Sequence, residues 1–293
     1  MKRAFLAAGA LVACACNRAP VCNGHVELCA RAYDAVAYAG THDAYADLAD
    51  GYVNVDQTNT MRQQLDDGIR VLHLEIVSNG GGPFLCHSIC ELGARPLEDG
   101  LAEIEAFVAA HDGELVTLLT ESSGATTDQI AAAFDQAGLT AFTRAHALGE
   151  PWPTLGAMLA RGERAVVFHA DNTQTGGSTF DWMLDRFAWT WETPWDNETL
   201  ADFARCDADR GTKGNSIYVV DNYLEDLPIE TAANAEITNN DPFLVDRLLD
   251  CEQIERTLPN FVMVDFYEVG DVLGDVEVLN GFVPTPAFDA GAD

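Results

Sequence analysis

Residues 64–75 have the sequence QLDDGIRVLHLE, in which a polar segment ends at a glycine and an apolar run follows at once. The segment 60–67 before Gly68 is a predicted helix, and the run 70–77 is a predicted strand. Apolar residues dominate that run without a clean alternation. Such a composition is typical of a strand covered on both faces, as in a parallel sheet. The stretch therefore predicts a helix that leads directly into a buried strand.

The same order recurs along the chain, working outward from this stretch. Strands are predicted at 35–40, 70–77, 114–121, 165–170, 216–223 and 260–269. Helices are predicted at 60–67, 96–111, 127–137, 154–161 and 242–256. Repeated strand–helix order is typical of an α/β protein with a parallel sheet. A chain of 293 residues fits one TIM-type (β/α) barrel, which need not be regular or completely closed.

Acidic residues greatly outnumber basic ones, with Lys+Arg 16 against Asp+Glu 47 and a formal net charge of −31. Such a surface repels nucleic acid and gives no electrostatic attraction toward anionic lipid. Carboxylates are also the ligands that hard cations prefer, so the composition is compatible with a metal site. A solvated acidic surface explains most of this charge equally well. The composition gives no prediction of the oligomeric state.

The chain begins with the features of an export signal. Lys2 and Arg3 precede a short apolar stretch at 4–13, which is too short to span a bilayer. Leu11-Val12-Ala13-Cys14 resembles a bacterial lipobox, in which Cys14 would be the lipidated first residue of the mature protein. An ordinary signal peptide cleaved a few residues later is the alternative. We predict an exported protein, either a cell-envelope lipoprotein anchored in the membrane at Cys14 or a secreted protein.

This interpretation divides the chain into four parts. They are a signal peptide of the lipoprotein type at 1–13, a lead-in or tether at 14–33, a barrel domain at 34–283 and a disordered tail at 284–293. The tail is rich in Pro, Ala and Asp, which disfavours a packed core.

Cysteine usage agrees with export. Besides Cys14 and Cys16 at the processing site, six cysteines remain, an even number that suits an oxidising compartment. The most economical pairing is Cys22–Cys29, Cys86–Cys90 and Cys206–Cys251, although six cysteines allow ~15 connectivities. A zinc site made by the first four of these is the alternative, but their spacings differ from the paired knuckles of zinc sites.

Ionisable residues recur at the ends of the predicted strands. They are His42, Asp43, His73, Glu75, His87, Glu121, Asp171, Asp221 and Asp265. In a (β/α) barrel, the C-terminal ends of different strands meet at one mouth, where active sites lie. Any acidic α/β protein carries some carboxylates in these loops, so the pattern by itself also fits a solvated surface.

Four motifs in order give the chain a resemblance to a known family. The sequence GTHDAY at 40–45 resembles the element that opens the catalytic X domain of phosphatidylinositol-specific phospholipases C. The block 64–75 resembles the second strand of that domain, and LVTLLTE at 115–121 is similar to its third. His87 lies where the family carries its second catalytic histidine. The stretch 22–280 also resembles exported bacterial proteins that contain this domain.

The resemblance implies that His42 is a general base and His87 a general acid. It further implies that Asp43, Glu75 and Glu121 bind a divalent cation, and these oxygen ligands suit Ca²⁺ best, with Mg²⁺ as the alternative. Surface carboxylates without a metal are the competing interpretation.

The last strand run and the second block supply three further candidates. Asp265 lies in the last strand run, beside the first strand in a closed barrel, and is a candidate to orient His42 through its second nitrogen. His73 is a candidate fourth ligand, a substrate contact or a core histidine. Arg70 is a weaker candidate for substrate contact, because pairing with a structural carboxylate explains it more readily.

The chain departs from the family pattern at three positions. Metal-independent bacterial members carry Arg where this chain has Glu75, and calcium-dependent members usually carry Glu at the position of His73. The second histidine is followed by Ser88 instead of Gly. These differences concern the substrate pocket and the strength of metal binding more than the fold. Four tryptophans, which fit a ligand pocket or ordinary packing, complete the candidates: Trp182, Trp189, Trp191 and Trp195.

Three functions follow from these residues. The leading hypothesis is a phosphodiesterase that cleaves phosphatidylinositol or a related glycerophospholipid headgroup with metal assistance. A glycerophosphodiester or sphingolipid-type phosphodiesterase on the same barrel is the first alternative. The second is a non-catalytic envelope lipoprotein that uses the barrel to bind a ligand. The expected partners are a phospholipid or glycerophosphodiester substrate and a membrane reached through the lipid anchor, with no nucleic acid.

Overall fold

A computed structural model describes residues 20–87, 89–171, 179–225 and 231–283. Within these ranges, eleven strands form one curled sheet: β1 (Tyr38–Thr41), β2 (Val71–Asn79), β3 (Gly82–Leu85), β4 (Arg95–Pro96), β5 (Val116–Ser123), β6 (Ala165–Asp171), β7 (Met183–Asp185), β8 (Thr190–Glu192), β9 (Arg210–Gly211), β10 (Ile217–Asn222) and β11 (Phe261–Val264). The helices there are α1 (Met61–Asp67), α2 (Leu97–Ala110), α3 (Thr127–Ala137), α4 (Leu155–Ala160), α5 (Arg186–Trp189), α6 (Ala232–Thr238), α7 (Phe243–Glu255) and α8 (Val272–Leu279). In the described part of the chain, no helix is both long and apolar enough to cross a bilayer.

The strands follow the order β7-β6-β5-β2-β1-β11-β10-β8-β9 around the sheet. Neighbours are parallel from β7 to β8, whereas β9 is antiparallel to β8 and β3 is antiparallel to β2. Among the described residues, no strand pairing joins β7 to β8, and the single turn α5 connects them along the chain. The predicted TIM-type (β/α) barrel is confirmed, and its sheet is not completely closed.

All six predicted strands and all five predicted helices are present, with ends that differ by a few residues. The sequence analysis missed the hairpin strands β3 and β4, the short elements from β7 to β9, and helices α6 and α8. All of these have between two and eight residues, too few for a periodic pattern to appear.

A capping residue and a glycine explain where α1 begins and ends before β2. The hydroxyl of Thr60 accepts a hydrogen bond from the backbone N–H of Gln63 and so caps the first turn. Gly68 ends the helix in the left-handed region with φ 117°, which a residue with a side chain adopts only with strain. The chain turns there and enters the sheet at Val71.

Alternation along the strands divides the buried side chains into two layers. Val71, Leu119 and Met263 belong to the layer inside the barrel, together with aromatic side chains such as Phe168 and Phe261. The alternate residues of the same strands pack in the layer between sheet and helices; they include Leu72, Leu74, Leu118 and Val262. Both faces of each central strand are therefore covered, as the apolar runs predicted.

The lead-in packs on the N-terminal end of the barrel from residue 20 onward. The side chain of Asn23 exchanges two hydrogen bonds with the backbone of Leu115, at 2.7 and 3.2 Å. Tyr33 is fully buried against Trp152, with ring centroids 4.5 Å apart. The domain boundaries at 34 and 283 stay predictions. The signal peptide, Cys14, Cys16, Ser88 and the tail at 284–293 lie outside the described residues.

The predicted disulfide pairing is confirmed. Bonds join Cys22 to Cys29, Cys86 to Cys90 and Cys206 to Cys251. The alternative of a zinc site made by the first four cysteines is therefore wrong. Three disulfides are typical of a protein that folds in an oxidising compartment.

Candidate active site

The alternation that fills the barrel with apolar side chains also brings polar ones to its C-terminal mouth. On β2, His73 and Glu75 follow Val71 at steps of two and so face the same interior. Glu75 pairs in register with Glu121 on β5. His42 and Asp265 directly follow β1 and β11, which are neighbours in the sheet.

These residues surround a cavity of about 320 Å³. Its lining consists of His42, Asp43, His73, Glu75, His87, Leu119, Glu121, Arg186, Trp195, Arg210, Asp221, Tyr223, Glu225 and Met263. Nearly all of these side chains carry a charge or a hydrogen-bonding group, which distinguishes the mouth from the apolar barrel interior below it. The position agrees with the rule that (β/α) barrels carry their sites at the C-terminal ends of the strands.

His42 is held in a fixed orientation by two neighbours. Its Nδ1 lies 3.0 Å from Oδ1 of Asp265, and its ring stacks on Tyr223 with centroids 4.0 Å apart and planes 4° from parallel. Burial raises the pKa of Asp265, while the hydrogen bond from His42 opposes that shift. With Nδ1 engaged by a carboxylate, Nε2 is the nitrogen directed to the cavity. The predicted partnership of His42 and Asp265 thus exists in the fold.

His87 approaches the same centre from the loop after β3. The Cys86–Cys90 disulfide encloses this histidine in a short covalent loop. Nε2 of His87 lies 3.6 Å from Oδ2 of Asp43, and its Nδ1 lies 3.3 Å from Oδ2 of Asp56. The two histidines that the sequence singled out therefore face one cavity.

Asp43 is the common neighbour of three histidines. Its Oδ1 lies 2.9 Å from Nδ1 of His73, and its Oδ2 lies 4.0 Å from Nε2 of His42. Burial by itself would raise the pKa of Asp43, but His42, His73 and His87 together hold it well below its usual range. Asp43 also has φ 34°, a left-handed conformation that costs energy in a residue with a side chain and that clusters at functional sites.

Asp43, Glu75 and Glu121 carry the oxygen donors that a divalent cation prefers. Among the described residues, the groups of possible ligand atoms within 4.8 Å of one another include Asp43 but not Glu75 or Glu121. The three carboxylates come from the ends of β1, β2 and β5, which are adjacent in the sheet, and all line the cavity. His73 lies among them, with Nδ1 held by Asp43 and Nε2 3.9 Å from Oε2 of Glu121. A carboxylate on one nitrogen of an imidazole is the usual way to aim the other nitrogen at a cation. Oxygen donors with one nitrogen donor are a reasonable cation-binding set.

Two arginines that the sequence analysis missed balance the negative charge of the carboxylates on the other side of the cavity. Arg186 donates to both oxygens of the buried Glu192 at 2.6 and 3.0 Å and lies 3.3 Å from Glu121. Arg210 lies 2.8 Å from Glu192 and 3.8 Å from Asp221. Burial opposes the charge of Arg210, but Glu192 and Asp221 raise its pKa. Burial would raise the pKa of Glu121, but His73 and the two arginines lower it to about 2.

Of the remaining candidates, one lines the cavity and the others lie elsewhere in the fold. Arg70 lies at the start of β2, away from the cavity, and donates to Glu114 at 2.8 Å; the structural pairing that the sequence favoured is what the structure contains. Of the four tryptophans, Trp195 lines the cavity, and the other three are buried in the packed layers. The sequence offered one signal for Arg186 and Arg210: basic residues are scarce in so acidic a chain.

Comparisons with known proteins agree with this geometry. The family model PI-PLC X matches residues 28–280, which is most of the chain. The chain belongs to the PI-PLC X family. A PI-PLC X domain-containing protein 1 of Arthroderma benhamiae is 30% identical over 282 residues, covering 89% of this chain and 90% of that protein.

Other similar proteins and structures share less sequence identity with this chain. An uncharacterized secreted protein of Arthroderma benhamiae is 28% identical over 87% of this chain and 62% of that protein. A PI-PLC X domain-containing protein of Arabidopsis thaliana is 26% identical over 82% of this chain and 60% of that protein. The phosphatidylinositol-specific phospholipase C of Listeria monocytogenes superposes with a TM-score of 0.59 at 16% identity, covering 86% of this chain and 95% of that one. This last likeness establishes a shared fold.

Proposed function

We propose that the protein cleaves the phosphodiester of phosphatidylinositol or a related glycerophospholipid headgroup by acid–base catalysis. The observation that carries this proposal is the pair His42 and His87. Both imidazoles face one cavity, both lie within 4.0 Å of Asp43, and each has a carboxylate at its other nitrogen. Membership of the PI-PLC X family and the name of the Listeria structure support this substrate class.

In the proposed reaction, each histidine carries out one of the two proton transfers. Nε2 of His42 accepts the proton of the ring hydroxyl next to the phosphate, and that oxygen forms a new bond to phosphorus. The bond from phosphorus to the glycerol oxygen breaks, and Nε2 of His87 donates a proton to the leaving oxygen. The products are a cyclic phosphodiester and a diacylglycerol. Water can open the ring with the two roles reversed. Each histidine contributes about 10²–10⁴-fold in rate.

Asp43, Glu75 and Glu121, with Nε2 of His73, are the groups that would hold a divalent cation, Ca²⁺ or Mg²⁺. When bound, the cation supplies a Lewis acid that stabilises negative charge on the phosphoryl oxygens. The guanidinium of Arg210 faces the same cavity and adds fixed positive charge. Asp221 and Glu225 line the opposite wall and can accept hydrogen bonds from headgroup hydroxyls.

An exposed apolar rim of Val53, Ile89 and Leu92, beside His87, favours a lipid substrate over a soluble diester. Val53 and Leu92 are joined by a backbone hydrogen bond of 2.8 Å and are both exposed, as is Ile89 in the same loop as His87. Trp195 is exposed on the opposite side of the mouth. Apolar side chains around a polar cavity suit a headgroup that enters while its acyl chains stay in a lipid layer. The net charge of −31 favours zwitterionic over anionic layers.

We also propose export and a lipid anchor at Cys14. The three disulfides and the secreted relative support export. Replacing Cys14 with Ser should move the protein from the membrane fraction to the soluble fraction of an expressing bacterium. Unchanged fractionation would contradict the anchor.

The decisive experiment is an assay of phosphatidylinositol cleavage by the purified protein. Activity should require a divalent cation, vanish with a chelator and fall by about 10²–10⁴-fold in His42→Ala and in His87→Ala. Cation binding should be measured calorimetrically and should be lost in Glu75→Gln. Absence of cleavage of phosphatidylinositol and of glycerophosphodiesters with every cation would refute the proposal. It would leave a barrel that only binds its ligand.

A further inference from the structure

Asp56 is a fully buried carboxylate at the candidate site, where no sequence motif pointed. Within the described residues, neither of its side-chain oxygens has a hydrogen-bond partner. Among the described residues, its side chain has one ionic contact, with Nδ1 of His87 at 3.3 Å from Oδ2. A charged group taken out of water without compensation is unfavourable. Because burial of this carboxylate is costly, its position behind His87 indicates a role at the site.

The backbone holds Asp56 in a rigid position. Its N–H donates to the carbonyl of Ala46 at 3.0 Å, and its carbonyl accepts from the N–H of Phe266 at 2.8 Å. The next residue, Gln57, donates from its side chain to the carbonyls of His42 and Val264. The segment therefore ties the loop after β1 to the loop after β11. A carboxylate mounted in this way can fix a ring that sits on a separate loop.

We propose that Asp56 is the positioning residue for His87, as Asp265 is for His42. It holds the proton on Nδ1 of His87 and so directs Nε2 toward the cavity, where the leaving oxygen is protonated. The side-chain amide of Asn54 lies 3.0 Å from the same Nδ1; with its oxygen turned to the ring, the amide accepts from the same N–H and keeps the ring from turning away. The site then contains two carboxylate–imidazole pairs of opposite function, with Asp43 between them. This inference rests on the proposed function.

If Asp56 positions His87, the effect of replacing Asp56 should depend on the leaving group of the substrate. A phosphodiester whose leaving group is an alcohol needs a proton from His87, whereas a nitrophenol leaves without one. Asp56→Asn should therefore lower kcat by about 10- to 100-fold on an alkyl inositol phosphate. On the nitrophenyl inositol phosphate it should change kcat less than about 3-fold, within the ordinary effect of a small disturbance. KM should stay unchanged on both substrates.

Two comparisons separate this role from a structural one. Asp47→Asn is the matched control, because Asp47 is also a fully buried carboxylate in the same loop but accepts a hydrogen bond from the N–H of Asp50. It should leave the leaving-group preference unchanged. Asp56→Asn made in a His87→Ala background should cause no further loss, since residues that act as one unit are not additive. The polar atoms of His42, Asp56 and Asp265 also lie within 4.8 Å of one another, so Asp265→Asn is included. It should slow both substrates.

A second measurement needs neither a variant of Asp56 nor a substrate. The protein has seven histidines, so nitrogen NMR of labelled imidazoles can assign His87 by the loss of its signals in His87→Ala. Nδ1 of His87 should carry a proton that is hydrogen-bonded to a carboxylate. An unprotonated Nδ1, or equal losses on the two leaving groups, would overturn the inference. If the unmodified protein cleaves neither substrate, the proposed function fails, while the NMR result still decides the position of the proton.

Discussion

The exposed apolar rim allows a quantitative prediction about lipid binding. Ile89 is 55% exposed and Leu92 is 39% exposed, and both lie on the loop that carries His87. Complete burial of such a side chain contributes about 1.5–3 kcal/mol. About half of each side chain remains available, so insertion into a lipid layer should contribute about 1 kcal/mol per residue. Replacing both with Ser should weaken partitioning by about 2 kcal/mol, which is about 30-fold.

The assay is co-sedimentation with phosphatidylcholine vesicles, followed by cleavage of phosphatidylinositol in those vesicles and of a soluble inositol phosphodiester. Ile89→Ser/Leu92→Ser should lose vesicle binding and vesicle activity together while it keeps activity on the soluble diester. The matched control is Leu148→Ser/Ile254→Ser, because these side chains are 68% and 62% exposed but lie outside the loop that carries His87. The control should bind vesicles as the unmodified protein does.

Three results would refute this reasoning. Equal loss of vesicle binding in both double variants would mean that general surface hydrophobicity, not the rim, decides partitioning. Loss of activity on the soluble diester by Ile89→Ser/Leu92→Ser would mean that the substitutions had displaced His87. Unchanged binding of that variant would remove the rim from the argument for a lipid substrate.

Three further predictions concern the loop, the stability and the cavity wall. Replacing Cys86 and Cys90 with Ser should lower kcat by about 10- to 100-fold, because the histidine between them loses its fixed position. The Tm should change little, because the bond closes a separation of only 4 residues. Burial and a neighbouring carboxylate raise the pKa of Asp275 to about 8, so the folded state binds more protons than the unfolded chain and stability should fall as pH rises from about 4 to 8. After screening by solvent, Asp275→Asn should stabilise the protein by about 1–2 kcal/mol at pH 8, read as a rise in Tm of about 2–8 °C. Asp135→Asn, on an exposed face of α3, should change neither the Tm nor its pH dependence. Arg210→Ala should lower kcat/KM for phosphatidylinositol by about 10- to 100-fold through loss of a charge-assisted contact, with partial recovery in Arg210→Lys; an unchanged kcat/KM would place the headgroup elsewhere.

Short-range signals explain why so much of the site could be predicted from the sequence. His42 and Asp43 directly follow an apolar run of strand length, and His73 and Glu75 lie two residues apart within another. In a parallel barrel, those two facts suffice to bring all four side chains to one mouth. Arg186, Arg210 and Asp56 could not be found in this way, because they lie in a four-residue helix, a two-residue strand and a loop, none of which is long enough to show a periodicity.

The contacts of Asp56 show why short-range sequence signals could not identify it. Its partner His87 is 31 positions away along the chain, and the two are brought together only because the loops after β1 and β3 meet at the mouth. The arginines depend in the same way on the place where the sheet stays open, since Arg186 lies on the single turn between β7 and β8.

The sequence by itself determined the order of the elements, the burial of both sheet faces, the pairing of the cysteines by economy and the identity of the two catalytic histidine candidates. The order and burial of the elements depend on composition and on periods of two and 3.6 residues, which can be recognised along the chain. The two histidines were singled out by the resemblance of their motifs to a known family. The tertiary structure decided where the sheet stays open, which carboxylate stands behind each imidazole, and which arginines reach the cavity. Those outcomes depend on the closure of the curled sheet, because it brings side chains from distant loops within hydrogen-bonding distance.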